Sequence, residues 1–159
     1  MTPLNSVMVG HVLDEVRQDV LNILARSERP LDQRFVWICV LNPKEDGAET
    51  ILGARLFGKA PEKHEDWKRP YNRFAEGKAR TSRESGLDSG VVRYLRPATL
   101  SYLSCYLPGG VCLGGIPVGT SGVESYLDEE ISRLVAARID SHLKKLIAHL
   151  ESLEEYVLQ

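Results

Sequence analysis

Hydrophobic positions along the chain repeat with two different periods. Over residues 4–26, Val9, Val12, Val16, Val20 and Ile23 recur every three or four positions, the spacing of one face of an α-helix. Asn5 or Ser6 stands where a side-chain oxygen can accept from first-turn amides, and Pro30 ends the segment soon after. The run Phe35-Val36-Trp37-Ile38-Cys39-Val40-Leu41 is short, aromatic and β-branched, and it ends at the turn-forming pairs Asn42-Pro43 and Asp46-Gly47. It predicts a strand, with residues 50–57 returning on it as a hairpin.

Helical spacing returns over residues 61–85, where Trp67, Tyr71, Phe74, Lys78 and Thr81 share one edge of the most charged part of the chain. Gly86 is placed to cap this helix, since glycine takes the left-handed conformation without a Cβ penalty. Residues 91–95, 100–107 and 111–118 read as three more strands, the last two joined across Pro108-Gly109-Gly110. Proline holds φ negative and cannot open the mirror-image turns of two-residue hairpins, so a longer or bulged loop is expected there. A final helix opens near Leu127-Asp128-Glu129-Glu130, where carboxylates complement the positive helix end. Within it Ile139, Leu143, Leu146, Leu150, Leu153 and Val157 step by 4, 3, 4, 3, 4, the alternation of a coiled-coil seam. That stripe either docks on its own domain or meets a second copy, and a homo-oligomer is the expectation.

The pattern therefore contains three helices and five strands in 159 residues, 43% of them apolar, enough for one core. Residues 1–159 form a single domain, with 141–159 as a helical extension. Twenty Lys and Arg against 22 Asp and Glu give a formal charge of −2, without the basic stripe that a nucleic-acid binder needs. No apolar run is long enough for a membrane span, and Asp14, Glu15 and Asp19 interrupt the stretch that a signal peptide would keep uncharged. A cytoplasmic location is expected. In a tight hairpin register Cys105 would face Cys112 within disulfide reach. Three cysteines without a C-x-x-C pair nevertheless point to reduced thiols and to no thiolate metal site.

Six glycines fall between Gly109 and Gly122, an entropic cost that implies close backbone approach, bulges or a tight strand exit. Gly119-Thr120-Ser121-Gly122, ahead of a helix, can present amides and hydroxyls to an anionic group. In the alternative reading the glycines only let strand and helix pack. The segment is neither a P-loop nor a dinucleotide fingerprint, because no Gly-Lys-Ser/Thr follows and the glycine spacing differs.

The stretch VCLGGIPVGTSGVESYLDEEISRLVAARI resembles the glycine-rich strand, strand exit and Asp-Glu-opened helix of the GlcG/HbpS family, also called the haem-degrading domain family. FAEGKARTSRES is similar to that family's Lys-Ala-x-Thr-Ala helix, and ARLFGKAP to its Arg-rich strand. The resemblance covers roughly residues 5–140. It implies an α/β (α+β) fold, a profilin-like three-layer α/β/α arrangement with a five-stranded antiparallel sheet, here followed by a long C-terminal helix. It also implies binding of haem or another anionic small molecule. Two features depart from the family: Gly109-Gly110 reads as the hairpin turn itself rather than preceding a further strand, and the last helix continues to Gln159.

Lys78 and Thr81 match the family segment and share a helix face, which predicts an ammonium opposite the loop Gly119, Thr120, Ser121 and Gly122. With Gly114 and Gly115 of the glycine-rich strand, and with Tyr102 and Tyr106 on one face of a predicted strand, these form the expected ligand-binding set. His64, among Glu62, Lys63, Glu65 and Asp66, is the best acid/base candidate, and its neighbouring carboxylates favour the protonated form. A haem iron would require an axial side chain; no other cofactor and no metal site is expected. The competing reading is a small cofactor-independent enzyme, an isomerase, lyase or cyclase acting on a carbonyl-bearing substrate, with His64 and Lys78 as its catalytic groups.

Overall fold

The computed structural model describes residues 4–44, 50–101 and 103–158; the side chains of His64 and of residues 155–158 lie outside that description. The first amphipathic stretch forms two helices, α1 (Ser6–Glu15) and α2 (Arg17–Leu24), divided at Val16 where one continuous helix was expected. Asn5 caps α1, its side chain accepting from the Met8 amide at 2.9 Å. Strand β1 (Phe35–Leu41) and strand β2 (Ile51–Gly58) form the predicted antiparallel hairpin.

After a loop with one 3-10 turn at His64–Asp66 comes α3 (Tyr71–Ser85), shorter than the helix read over residues 61–85. Gly86 closes it in the left-handed region with φ 72°. The chain then departs from the expectation. Residues 91–95 form a 3-10 turn and a short helix, α4 (Val92–Leu95), and no strand runs through the described residues of 100–107. Residues 111–118, read as one strand, contain instead most of a hairpin: β3 (Gly110–Leu113) and β4 (Ile116–Ser121), with Leu113 opposite Ile116. The two-residue turn between them is Gly114-Gly115, both at positive φ (61° and 80°), as the tight mirror-image turn demands. Gly109 thus precedes and Gly110 opens a short hairpin strand, where Gly109-Gly110 was expected to be the hairpin turn itself. Helix α5 (Ser125–Leu158) closes the chain.

Among the described residues the sheet has four strands, in order β2-β1-β4-β3 with every pair antiparallel, so the expectation of five is corrected. Alternation along β1 sends Val36, Ile38 and Val40 into one core with α1, α2 and α5, and turns Cys39 and Leu41 toward Ala75 and Ala79 of α3 on the other face. Gly119 of β4 is where α3 comes closest. A Cβ there would lie 1.9 Å from the Ala75 carbonyl oxygen, so the helix seats directly on bare backbone.

Beyond its inner half, α5 leaves the core. Ile139 is buried and Leu143 packs against the core, whereas Ile147, Leu150 and Leu153 are exposed. All three cysteines are free; Cys112 faces Pro117 across the β3–β4 hairpin, and Cys105 lies against Gly77 of α3. Among the described residues, no helix is long and apolar enough to cross a membrane.

Candidate functional site

Lys78 lies on the sheet-facing side of α3 with Ala75, Ala79 and Ser82, only 3% exposed. Burial of an ammonium is costly without partners, and the end of β4 and the start of α5 supply them. Its Nζ donates to the Thr120 carbonyl at 2.9 Å and stands 3.4 Å from Oδ2 of Asp128, itself 2% exposed. Gly109 makes this passage possible, since a Cβ there would lie 2.9 Å from Nζ and 3.1 Å from the Asp128 Cβ.

Asp128 reaches back before its helix, Oδ1 accepting the Val123 amide at 3.1 Å, with a further hydrogen bond from the Gly122 backbone. Its carboxyl is pushed up to about 6 because burial outweighs the opposing pull of Lys78 and these amides. Beneath them, Ser132 Oγ donates to the Gly109 carbonyl at 2.6 Å and lies 2.8 Å from Thr120 Oγ1, so the Thr120 hydroxyl is spent inside the fold.

This pair forms part of the wall of a pocket of about 280 Å³ at the start of α5. Ser121, Gly122, Val123 and Ser125 line one side, and the cations Arg29, Lys68 and Arg69 join Lys78 around it. Arg29 is positioned by a clasp: Glu124 accepts from Ser27 Oγ at 2.8 Å and from the Glu28 amide at 3.0 Å, and Arg29 itself donates to the Val123 carbonyl at 3.4 Å. Lys68 and Arg69 are carried by the loop that Trp67 anchors. The Trp67 ring packs 5.5 Å from Phe35, which meets Tyr71 edge-on at 5.3 Å, and its indole N–H donates to the Pro61 carbonyl at 3.0 Å. Trp67 and Tyr71 are thus core aromatics as well as supports. Four cations, one carboxylate and a helix N-terminus on a small hollow favour an anion.

A second hollow of about 710 Å³ lies between α3 and residues 103–107. Thr81 holds that segment in place: its hydroxyl donates to the Gly77 carbonyl at 2.9 Å and accepts the Cys105 amide at 3.0 Å. Thr81 therefore acts as an internal bracket and is absent from the pocket lining. Tyr106 lines the second hollow, next to Cys105.

Of the residues expected from the sequence, Lys78, Ser121 and Gly122 meet at the pocket. Gly114 and Gly115 form the β3–β4 turn, and Gly119 and Thr120 are packed inside the fold. His64 opens the 3-10 turn before α3, its side chain outside the described set, and Tyr102 lies outside the described residues. Asp128 and Ser132 were missed as site residues. Their signal was present: both are polar positions on the stripe that Leu127, Ile131, Val135 and Ile139 mark as buried.

Haem does not fit the pocket. No His, Cys or Met lines it among the described residues, and its one axial-type oxygen belongs to Tyr71 in the aromatic cluster. Axial-type donors, Cys105 and Tyr106, lie in the second hollow instead.

No family model matches the chain, and no curated protein matches it. Among solved structures it is similar to HbpS, with a TM-score of 0.60 and 16% identity over 86% of this chain and 90% of that one. It is also similar to the Ybr137w protein, with a TM-score of 0.57 and 11% identity over 89% of this chain and 80% of that one. The chain has an HbpS-like fold.

Proposed function

We propose that this protein binds a small anionic molecule in the pocket formed by Lys78, Asp128 and the first turn of α5. The observation that carries this reading is the buried Lys78–Asp128 pair opening on a hollow that Arg29, Lys68 and Arg69 also line. A buried ion pair is a poor stabilising device, since its desolvation commonly cancels its attraction, so an ammonium placed at a cavity wall among other cations calls for a ligand. The anion would take hydrogen bonds from the Arg and Lys side chains and from Ser125, which lines the pocket at the start of α5. Haem, the ligand implied by the family resemblance, would have to place its ring in the second hollow, with Cys105 or Tyr106 toward the iron.

Titration calorimetry with sulfate tests the reading on a ligand whose charge is constant near neutrality. Lys68→Gln and Arg69→Gln alter exposed side chains at the pocket rim and leave the core untouched. Each is expected to weaken sulfate roughly tenfold, the worth of one charge-assisted hydrogen bond. Unchanged affinity in both variants, or no sulfate binding by the native chain, overturns the proposal. A parallel haemin titration separates the two ligands, because occupation by haem shifts the Soret band and Cys105→Ser or Tyr106→Phe then moves it again.

A further inference from the structure

We infer that the anion held in the Lys78 pocket carries an apolar body, which lies in the hollow between α3 and residues 103–107; this rests on the anion-binding reading above. Two side chains, Phe74 and Leu107, line both hollows, so the cationic pocket and the second surface adjoin across this pair. That surface is mostly hydrocarbon. Its wall exposes Leu103 at 49%, Tyr106 at 48% and Leu107 at 41%, three large apolar side chains together on one short segment.

The segment is also held open. Gly77 lets the chain approach α3 so closely that a Cβ would meet the Cys105 Cβ at 3.0 Å, and the Thr81 bracket fixes it there. It therefore stands beside the helix with Leu103 and Leu107 exposed and with Tyr106 carrying the Arg93 guanidinium 5.3 Å from its ring centre. Along the α3 side the Arg80–Glu76 pair at 2.8 Å offsets its own charges and Arg73 adds a cation, against four around the first pocket, which keeps the head-group preference there. The class of ligand is an amphipathic anion: one charged end of carboxylate or sulfonate type, and a hydrocarbon chain or ring extending from it.

A homologous series of alkyl sulfonates, from methanesulfonate to octanesulfonate below micelle-forming concentrations, reads this directly by calorimetry. Affinity is expected to rise about two- to fourfold per methylene until the hollow is filled, the gain for removing part or all of each CH₂ from water. Leu103→Ser and Tyr106→Ser, both at half-exposed positions, should flatten that rise and leave methanesulfonate affinity within twofold of native. Methanesulfonate binding without gain along the series overturns the inference alone. Binding of no member overturns the pocket reading and this one with it. A slope unchanged in both variants, or loss of self-association in them by sedimentation velocity without a slope change, assigns the surface to other contacts and also overturns it.

Discussion

Single residues in this chain are constrained by what lies within a few ångströms of them, and the glycines show it. Six glycines between Gly109 and Gly122 suggested backbone laid bare for a guest. The structure shows most of that bareness filled by the protein itself: α3 against Gly119, the Lys78 main chain against Gly110, Asp140 against Gly114. Gly119→Ala is expected to cost about 3 kcal/mol or more, because the Ala75 carbonyl cannot move without lifting the helix from the sheet. Gly10→Ala, in α1 with nothing within 4 Å of the new methyl, should instead add roughly 0.5–1 kcal/mol. Urea unfolding of the two variants checks both signs, and a neutral Gly119→Ala would mean that α3 is not seated as described. Lys78 was legible at this scale because its helix neighbours carry a recognisable pattern. Asp128 was read only as a carboxylate favouring a helix start, since sequence spacing does not show that a side chain on α3 crosses to meet it.

At the scale of elements, the strongly periodic segments were legible and the short ones were not. The first helical stretch, the β1–β2 hairpin, α3 and α5 follow directly from apolar spacing and turn residues. Residues 91–95 and 100–107 contain enough Val, Leu and Tyr to read as strands, yet Pro97 opens a 3-10 turn between them and neither segment pairs with the sheet among the described residues. The same misreading hid the Gly114-Gly115 turn inside a supposed single strand.

Two predictions belong to α5. Its Asp128 titrates at about 6 when folded against an ordinary value of 3.8, so between pH 4 and 6 the native chain keeps a proton that the unfolded chain releases. This carboxyl's contribution to stability is therefore largest at low pH and falls by about 3 kcal/mol as pH rises through that window. Asp128→Asn should remove that component from the pH dependence of urea unfolding. It should also flatten the pH dependence of sulfate affinity, which in the native chain strengthens several-fold from pH 7.5 to 5.5 as the Asp128 carboxylate in the pocket wall is neutralised. The outer half of α5 makes the opposite case. Ile147, Leu150 and Leu153 are exposed, so a chain ending at Leu146 should unfold within a few degrees of the full chain at dilute concentration. A larger loss shows that this stripe is covered by a second copy, and sedimentation velocity then reports the change in mass.

For the whole molecule, the sheet and its two helical coverings form one body, while the wall of the second hollow stands outside it. The described residues of 87–107 contribute no strand, and they are fastened by the Thr81 bracket, by the hydrogen bonds that join Ser89 to Leu107 and Gly110, by the Arg133–Asp88 ion pair and by the buried Val92. Substitution at their exposed positions, such as Leu103 and Tyr106, carries little penalty for folding, whereas a change at Ser89, Val92, Gly119 or Lys78 disturbs packed parts of the structure. Selection on such a chain can exchange the guest without rebuilding the host. Descendants of one ancestral scaffold would then diverge fastest along this stretch, keeping a common frame while their preferences drift apart.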